Sequence, residues 1–311
     1  PQKIINQYGA DILRLWVAST DYSGELNISD EIMKRVADSY RRIRNTLRFL
    51  ISNIEDIDKE TQLVPPEQML SIDRFALHQS QALQESIIKD YDAFNFYVGI
   101  QKFVSFCSED LGGFYLDIIK DRLYTMKENS HGRRSAQSAL FHITQSLIRL
   151  MTPILSFTAY EASESIFKNN NKNIFTEKWY QFPKNLMEDK DLNDWKNILE
   201  IRGFVNKKIE ELREKGIVGS SLQSIIVISA PVEIYNSLKL FNDDLKFIFI
   251  ASKVTIKKNE KLEVNVNKSE HQKCERCWHY CDDVGLNEKH KELCGRCIKN
   301  LYEDGEIRLY A

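Results

Sequence analysis

The sequence predicts a mainly α fold, in which a helix bundle is followed by a small α+β unit and a compact segment built on four cysteines. Apolar residues recur at intervals of three and four over most of the chain up to Gly216, which is the period of an amphipathic helix. Beyond Ser221 the apolar runs shorten to the length of strands. Two Cys-x-x-Cys pairs, Cys274–Cys277 and Cys294–Cys297, then lie near the C-terminal end.

The predicted helices follow from apolar spacing and from residues that start or stop helices. An apolar helix is expected over residues 10–20. Ser29 is the predicted N-cap of the next helix, because Asp30 and Glu31 follow it in the first turn, where the helix dipole favours carboxylates. That helix should run to about Ile54. Further helices are predicted over residues 71–91, 92–111, 114–126, 133–167 and 194–215. The second of these should break at Gly112-Gly113, and Pro153 should kink the fourth. An irregular segment is expected over residues 168–190.

The α+β unit should contain strands over residues 222–229, 247–256 and 262–266, with a helix over 232–241. Just before it, Gly216-Ile217-Val218-Gly219 has the outline of the Gly-x-x-Gly phosphate clamp of KH modules. A helix C-cap and turn is the preferred interpretation, because glycine directly after a helix is the common terminator.

The two cysteine pairs match the spacing of a structural zinc site. Each pair can form a tight turn that presents two thiolates, and the sixteen residues between the pairs allow both turns to meet at one ion. Disulfides or a redox Cys-x-x-Cys are the alternatives, but no secretory segment accompanies them. Cys281, His279 and His290 are spare candidate ligands. Four thiolates would fill a tetrahedral shell, so the zinc should hold the fold rather than act in catalysis.

Composition limits the function classes. The 311 residues are enough for two or three domains, and 42% apolar with 28% charged residues is an ordinary soluble composition. The net charge is −2. Nucleic acid binding would therefore need local basic patches. No apolar run reaches the length of a membrane span, so a cytosolic protein is expected. The chain begins at Pro1 without Met and enters a helical pattern at once, which indicates a piece of a longer protein.

The densest basic strip lies on the helix that begins after Ser29. Its cations share one stripe, beside an apolar face, and are Lys34, Arg41, Arg44 and Arg48. A charge run on a helix is most often a solvated surface. The alternative is a contact with the phosphate backbone of a nucleic acid.

Seven short motifs are spread along the chain. They are Pro1-Gln2-Lys3-Ile4-Ile5, Tyr8-Gly9-Ala10-Asp11-Ile12-Leu13-Arg14-Leu15-Trp16, Asn193-Asp194-Trp195, Ile201-Arg202-x-x-Val205-Asn206-Lys207, Gly219-Ser220-Ser221-Leu222, Cys274-x-x-Cys277-Trp278-His279-Tyr280 and Cys294-Gly295-Arg296-Cys297. Together these motifs resemble those of class I aminoacyl-tRNA synthetases, and specifically the bacterial isoleucyl-tRNA synthetases that end in a zinc finger. The resemblance covers essentially the whole chain, and the cysteine motifs are its most specific part.

The resemblance implies an organisation of four parts. Residues 1–29 would be a linker helix from a missing catalytic domain, 30–190 an anticodon-binding helical bundle, 191–268 an α+β C-terminal junction domain, and 269–311 a zinc finger with four cysteine ligands. The bundle would hold the anticodon stem and loop of an isoleucine-accepting tRNA. Its phosphate contacts would come from Lys34, Arg41, Arg44 and Arg48, and the finger would add Arg276, Arg296 and Lys299.

The resemblance also implies a full-length ligase of translation that joins isoleucine to its tRNA using ATP and Mg²⁺ and removes misacylated valine in an editing domain. This chain lacks the catalytic signatures of that family. His131-Gly132 is followed by Arg133 rather than by His, and no Lys-Met-Ser-Lys-Ser loop occurs. Every catalytic side chain is therefore expected upstream of Pro1, the chain alone should be inactive, and a cytoplasmic monomer is expected.

Two other functions remain open. A similar four-cysteine finger ends the formamidopyrimidine-DNA glycosylases, which use an N-terminal proline amine, as Pro1 could supply. Those enzymes need a carboxylate next, whereas this chain has Gln2, and the long helical bundle has no place in them. A zinc-stabilised helical protein-interaction module is the other alternative, and it predicts no salt-dependent binding of tRNA.

Overall fold

The computed structural model describes residues 1–167, 173–184 and 186–311, and helices dominate it. The mainly α prediction is confirmed. The helices are α1 Gln2–Tyr8, α2 Ala10–Ser19, α3 Asp30–Ser52, α4 Ser71–Asp92, α5 Phe96–Ser105, a π-helical segment Phe106–Leu116, α6 Asp117–Thr125, α7 His131–Met151, α8 Ser156–Ile166, α9 Asp189–Glu214, α10 Val232–Phe241, α11 Leu245–Ile248 and α12 Gly295–Tyr302. The strands are β1 Ser224–Ala230, β2 Lys253–Lys258, β3 Glu263–Lys268, β4 Gln272–Lys273 and β5 Tyr280–Cys281.

The chain divides into two compact units. Unit 1 comprises Pro1–Leu63, Ala76–Asp117 and Gln137–Lys184, and unit 2 comprises Val64–Phe75, Ile118–Ala136 and Asn185–Ala311. Within the segment predicted to be irregular, residues 168–172 and 185 lie outside the described residues. Of the rest, Ile174–Thr176 forms one turn of 3₁₀-helix, and α9 begins at Asp189, five residues before its predicted start.

Helix α3 forms much of the core of unit 1. The Ser29 hydroxyl accepts a hydrogen bond from the Ile32 amide at 3.2 Å, which confirms the predicted N-cap. The buried face is rotated slightly from the predicted one, because Ile32, Val36 and Tyr40 are only half-buried. Its fully buried apolar side chains are Met33, Ala37, Ile43, Leu47 and Leu50.

Two charged residues of α2 form hydrogen bonds with backbone groups at the break that Pro153 makes between α7 and α8. The sequence predicts a kink, and the structure has a full interruption from Thr152 to Leu155. Arg14 donates hydrogen bonds to the Ile154 and Pro153 carbonyls at 2.7 and 2.8 Å. Asp11 accepts from the Thr158 amide at 2.7 Å, at the N-terminus of α8. The ends of α7 and α8 thus receive the donor and acceptor groups that they lack.

The predicted helix break at Gly112-Gly113 is wrong. The chain remains helical from Phe96 to Thr125, and both glycines lie in the π-helical segment. Leu111 and Phe114 on either side of them are buried. Burial of these side chains outweighs the weak helix propensity of glycine, which is a preference that tertiary packing commonly overrides. The predicted helix start at residue 92 is also wrong, because Phe94 has a positive φ of 59° and α5 begins at Phe96.

Trp195 of α9 lies at the centre of unit 2, with no exposed surface. Its indole stacks on Phe75 with 5.1 Å between ring centroids and meets the Phe241 ring edge-on at 4.9 Å. Its Nε1 donates a hydrogen bond to the Ser71 hydroxyl at 2.9 Å, so the polar atom of the ring is satisfied. Helices α4, α9 and α10 therefore share one aromatic core.

The three-stranded sheet of unit 2 has the order β2-β1-β3, with β1 parallel to β2 and antiparallel to β3. The helix predicted over residues 232–241 is confirmed as α10, which connects the parallel pair. The strand predicted over 247–256 begins only at Lys253. Residues before it form the short helix α11, and Ile250 has a φ of 51°. A short apolar run is equally compatible with a buried helical turn, which explains the error.

Gly216 ends α9 as a helix C-cap, as the preferred interpretation of the sequence has it. Its φ is 68°, a conformation that glycine adopts without steric cost. The Gly216 amide donates to the Arg213 carbonyl and the Ile217 amide donates to the Leu212 carbonyl, both at 2.9 Å. This is the Schellman pattern of helix termination. In the described parts of the chain, no helix has the length and apolar character that crossing a membrane requires.

Candidate metal centre and nucleic-acid interface

The four predicted cysteine ligands converge in unit 2. The Sγ atoms of Cys274, Cys277, Cys294 and Cys297 all lie within 4.8 Å of one another, and all four residues are buried. The Cys277 and Cys294 sulfur atoms are 3.6 Å apart. A tetrahedral ion with metal–sulfur bonds of about 2.3 Å places its sulfur ligands about 3.8 Å apart. The spacing of the thiols therefore fits a four-coordinate zinc ion.

Local backbone structure presents the thiols. In the first pair, the Trp278 amide donates to the Cys274 carbonyl at 2.9 Å, and Trp278 has a φ of 64° that reverses the chain. In the second pair, Cys294 is the N-cap of α12, and Cys297 lies in its first turn. The Cys294 amide donates to the Cys274 sulfur at 3.4 Å. Amide donors and a helix N-terminus both favour thiolate over thiol.

Hydrogen bonds among the four cysteines shift their pKa values in opposite directions. Hydrogen bonds from Cys277 and then from Cys294 and Cys297 lower the pKa of Cys274. The bond to Cys274 in turn raises the pKa of Cys277 to about 12 and that of Cys294 to about 11. Ionised Cys274 thus opposes the ionisation of Cys277 and Cys294. A divalent cation at the centre would remove this opposition, because a coordinated thiol is deprotonated.

The spare candidate ligands lie outside the four-sulfur cluster. His279 is buried, and its Nδ1 lies 3.2 Å from the Cys277 carbonyl. His290 stacks on Tyr302 with 4.4 Å between ring centroids. Cys281 is half-buried and packs against the cluster without joining it. The symmetric set of four cysteines that the spacing predicts is thus the set that the structure brings together.

The arginines at the centre of each Cys-x-x-Cys pair contact α6 in unit 2. Arg276 donates to the Thr125 carbonyl at 2.6 Å. Arg296 makes two hydrogen bonds with the Asp121 carboxylate, at 2.7 and 2.8 Å, and an ion pair with Glu306 at 3.1 Å. Both were predicted to contact RNA. Their guanidinium groups form hydrogen bonds within the protein, whereas Lys299, on α12, is exposed.

Asp121 is the centre of this ion-pair cluster. Arg308 also pairs with Asp121 and with Glu306, and its guanidinium lies 3.4 Å from the centroid of the Phe247 ring. Burial alone would raise the pKa of Asp121. The charges of Arg308 and Arg296 outweigh burial and hold that pKa far below its usual 3.8. Sequence patterns gave no signal for Asp121 or Arg308, because their partners are distant along the chain.

The four cations predicted on α3 are exposed or half-exposed in unit 1. Arg41 pairs with Asp38 at 2.6 Å, and Arg44 makes two hydrogen bonds with Glu161, both at 2.8 Å. The hydrogen bonds to Glu161 raise the pKa of Arg44. Lys34 and Arg48 are exposed and make no ion pair with the residues that the structure describes. Of these four cations, two thus pair with carboxylates and two do not.

Replacing Asp121 with Asn should weaken the attachment of the cysteine segment to α6. The change leaves Arg296 and Arg308 with Glu306 as their shared carboxylate, and breaking a buried ion pair from one side costs on the order of 3 kcal/mol. Urea unfolding should show this loss. The same replacement at Asp38, Asp38→Asn, is the control, because the ion pair of Asp38 with Arg41 is exposed. It should change the free energy of unfolding by less than about 1 kcal/mol. Equal effects of the two variants would contradict the role given to Asp121.

Two family models match the chain. Residues 73–228, just over half of its length, match the anticodon-binding domain of tRNA ligases. Residues 272–300, which contain the four cysteines, match the zinc finger found in FPG and IleRS. Among solved structures, the agnB2 LeuRS of Agrobacterium radiobacter K84, in a ternary complex with tRNA and LeuAMS, overlaps 88% of this chain and 24% of its own. The TM-score is 0.45 and the identity 13%.

Curated relatives align over nearly all of the chain. The isoleucine–tRNA ligase of Janthinobacterium sp. (strain Marseille) is 51% identical over 100% of this chain, and that of Burkholderia multivorans is 49% identical over 99%. The ligase of Saccharophagus degradans is 47% identical over 100%. The chain spans 33 to 34% of the length of these relatives. By its match over residues 73–228, the chain belongs to the family of anticodon-binding domains of tRNA ligases.

Proposed function

We propose that this chain is the tRNA-binding region of an isoleucine–tRNA ligase and that it holds the tRNA by its anticodon. The observation that carries this proposal is the identity of 47 to 51% with isoleucine–tRNA ligases along nearly the whole chain, including the anticodon-binding match. Ligation of isoleucine, with ATP and Mg²⁺, would belong to parts of the ligase outside these 311 residues. The protein would act as a monomer in the cytoplasm, and the chain alone would not aminoacylate.

One zinc ion would be held by Cys274, Cys277, Cys294 and Cys297. The support is the fit of the four sulfur atoms to a tetrahedral ion and the match of the surrounding segment to a zinc-finger family. Four thiolates leave no position for water, so the ion would stabilise the fold and take no part in chemistry. Structural zinc typically contributes on the order of 10 kcal/mol to the folding of its site.

Helix α3 would supply the contacts with the tRNA backbone in unit 1. Of the four cations on the stripe, Lys34 and Arg48 are exposed and have no ion-pair partner among the described residues, so phosphates can approach them without displacing a carboxylate. Arg41 and Arg44 would contribute less, because each already faces a carboxylate. In unit 2, Lys299 stays a candidate, whereas Arg276 and Arg296 would act by anchoring the finger to α6.

The DNA glycosylase and the protein-interaction module are not favoured. The zinc-finger family includes FPG, but residues 73–228 match the anticodon-binding domain of tRNA ligases, which the glycosylase reading leaves unexplained. A protein-interaction module would leave the identity with tRNA ligases unexplained.

The purified chain should bind an isoleucine tRNA with an affinity that falls as salt rises, because cations replace the counterions of phosphates. Filter binding or fluorescence anisotropy at several salt concentrations gives this dependence. Isoleucine tRNAs with exchanged anticodons serve as competitors, and they should bind more weakly. Equal binding of all anticodons would contradict anticodon recognition, and absence of binding would contradict the proposed function.

The variants Lys34→Gln and Arg48→Gln test the α3 surface in the same assay. Each should lower the slope of log affinity against log salt by about 0.7 to 0.9, and weaken all tRNAs by a similar factor. Arg35→Gln is the matched control, because Arg35 is an exposed cation of the same helix that pairs with Glu31. An effect of Arg35→Gln as large as that of Lys34→Gln would show that the stripe has no special role.

Metal analysis should find one zinc per chain, and Cys294→Ser should abolish it. Loss of one thiolate opens the coordination shell and removes most of the binding free energy. Cys281→Ser is the control, since Cys281 packs beside the cluster and lies outside the set of four. Full zinc content after Cys294→Ser, or its loss after Cys281→Ser, would contradict the ligand assignment.

A further inference from the structure

The sheet of unit 2 has one face open to solvent. Strand partners share a face, and along β1 every second residue is buried. The buried face includes Ile226 and Ile228, which have no exposed surface. The opposite face carries the other β1 residues and their partners on β2 and β3. Its members are Ile225, Val227, Ser229, Lys253, Thr255, Lys257, Glu263, Asn265 and Asn267.

Four polar side chains on this open face are available for a ligand. Lys253 and Lys257 on β2, and Asn265 and Asn267 on β3, are all exposed. None of the four forms a hydrogen bond or ion pair with the residues that the structure describes. By contrast, the guanidinium groups of Arg276 and Arg296 in the finger donate hydrogen bonds to other groups of unit 2.

The charge of the open face is positive, although the whole chain has a net charge of −2. Lys253, Lys257 and Glu263 are its ionisable members. On the covered face, Lys258 lies over the Tyr235 ring at 5.3 Å. The two open-face lysines are four residues apart on one strand, so their Cα atoms are separated by about 13 Å. The half-buried Ile225 and Val227 lie between the lysine strand and the asparagine strand.

We propose that this open sheet face binds the RNA backbone, as a contact in addition to the one on α3. The inference rests on the proposed function, which supplies the RNA. Two lysines without an ion-pair partner among the described residues suit phosphates, because binding releases counterions and displaces no protein carboxylate. Exposed asparagine amides can donate to and accept from ribose hydroxyls, which distinguish RNA from DNA. The face lacks aromatic side chains for base stacking, so the contact positions the RNA and does not read its sequence.

The test compares two double variants of the full 311-residue chain in the salt-dependent tRNA assay. Lys253→Gln with Lys257→Gln removes the cations of the open face. Lys258→Gln with Lys268→Gln removes two charges from the same two strands, at positions that share the face of the buried β1 residues. The first double variant should lower the slope of log affinity against log salt by about 1.4 to 1.8, and the second should leave it nearly unchanged.

The factor by which the first double variant weakens binding should be the same for tRNAs with exchanged anticodons, because phosphate contacts carry no sequence information. An unchanged slope in a chain that still prefers the isoleucine anticodon would overturn this inference and leave the proposed function intact. Equal effects of both double variants, or a loss confined to one anticodon, would also overturn it. If the unmodified chain binds no tRNA, both the inference and the proposed function fail.

Circular dichroism and zinc content should match the unmodified chain, since all four substituted lysines are exposed. Should the first double variant fold poorly, the single variants Lys253→Gln and Lys257→Gln replace it. Each should lower the slope by about half as much as the double variant, that is by about 0.7 to 0.9. An unchanged slope in both single variants would overturn the inference equally.

Discussion

The carboxylate of Asp121 is the interaction on which the C-terminal part of the structure depends. It binds Arg296 from the middle of the second cysteine pair and Arg308 from the last residues of the chain, and Glu306 bridges the same two arginines. Such charges are stable away from water only if they are matched. Because Arg276 also donates to the end of α6, both cysteine pairs are fixed to one helix. The finger is therefore part of the core of unit 2.

This arrangement decides which cations stay available for the proposed contacts with RNA. The finger arginines Arg276 and Arg296, which the family resemblance added as further candidates, form hydrogen bonds within unit 2. The exposed cations without partners among the described residues include Lys34 and Arg48 of α3 and Lys253 and Lys257 of β2. A chain with a net charge of −2 can therefore still attract phosphates, provided that unpaired cations are grouped on particular surfaces. The stripe on α3 in unit 1 and the open sheet face in unit 2 are the two surfaces proposed for this contact.

The parts of the fold that sequence predicted well depend on local chemistry. Ser29 caps α3, Gly216 ends α9, and the spacing of the four cysteines predicts the cluster of four sulfur atoms. The errors arise where distant packing decides. Gly112 remains in a helix because its apolar neighbours are buried, and residues 247–251 turn before β2 begins. The partner of Arg296 is 175 residues away, so no local pattern could have identified it.

Hydrogen exchange with and without bound zinc tests most directly whether the finger is part of the core of unit 2. The amides of α6 and of residues 308–311 should lose protection when the metal is removed by a chelator, because both are held through Arg296, Arg308 and Asp121. The amides of α3 in unit 1 should stay protected and serve as the internal reference. Loss of protection confined to residues 272–300, with α6 unchanged, would contradict this account.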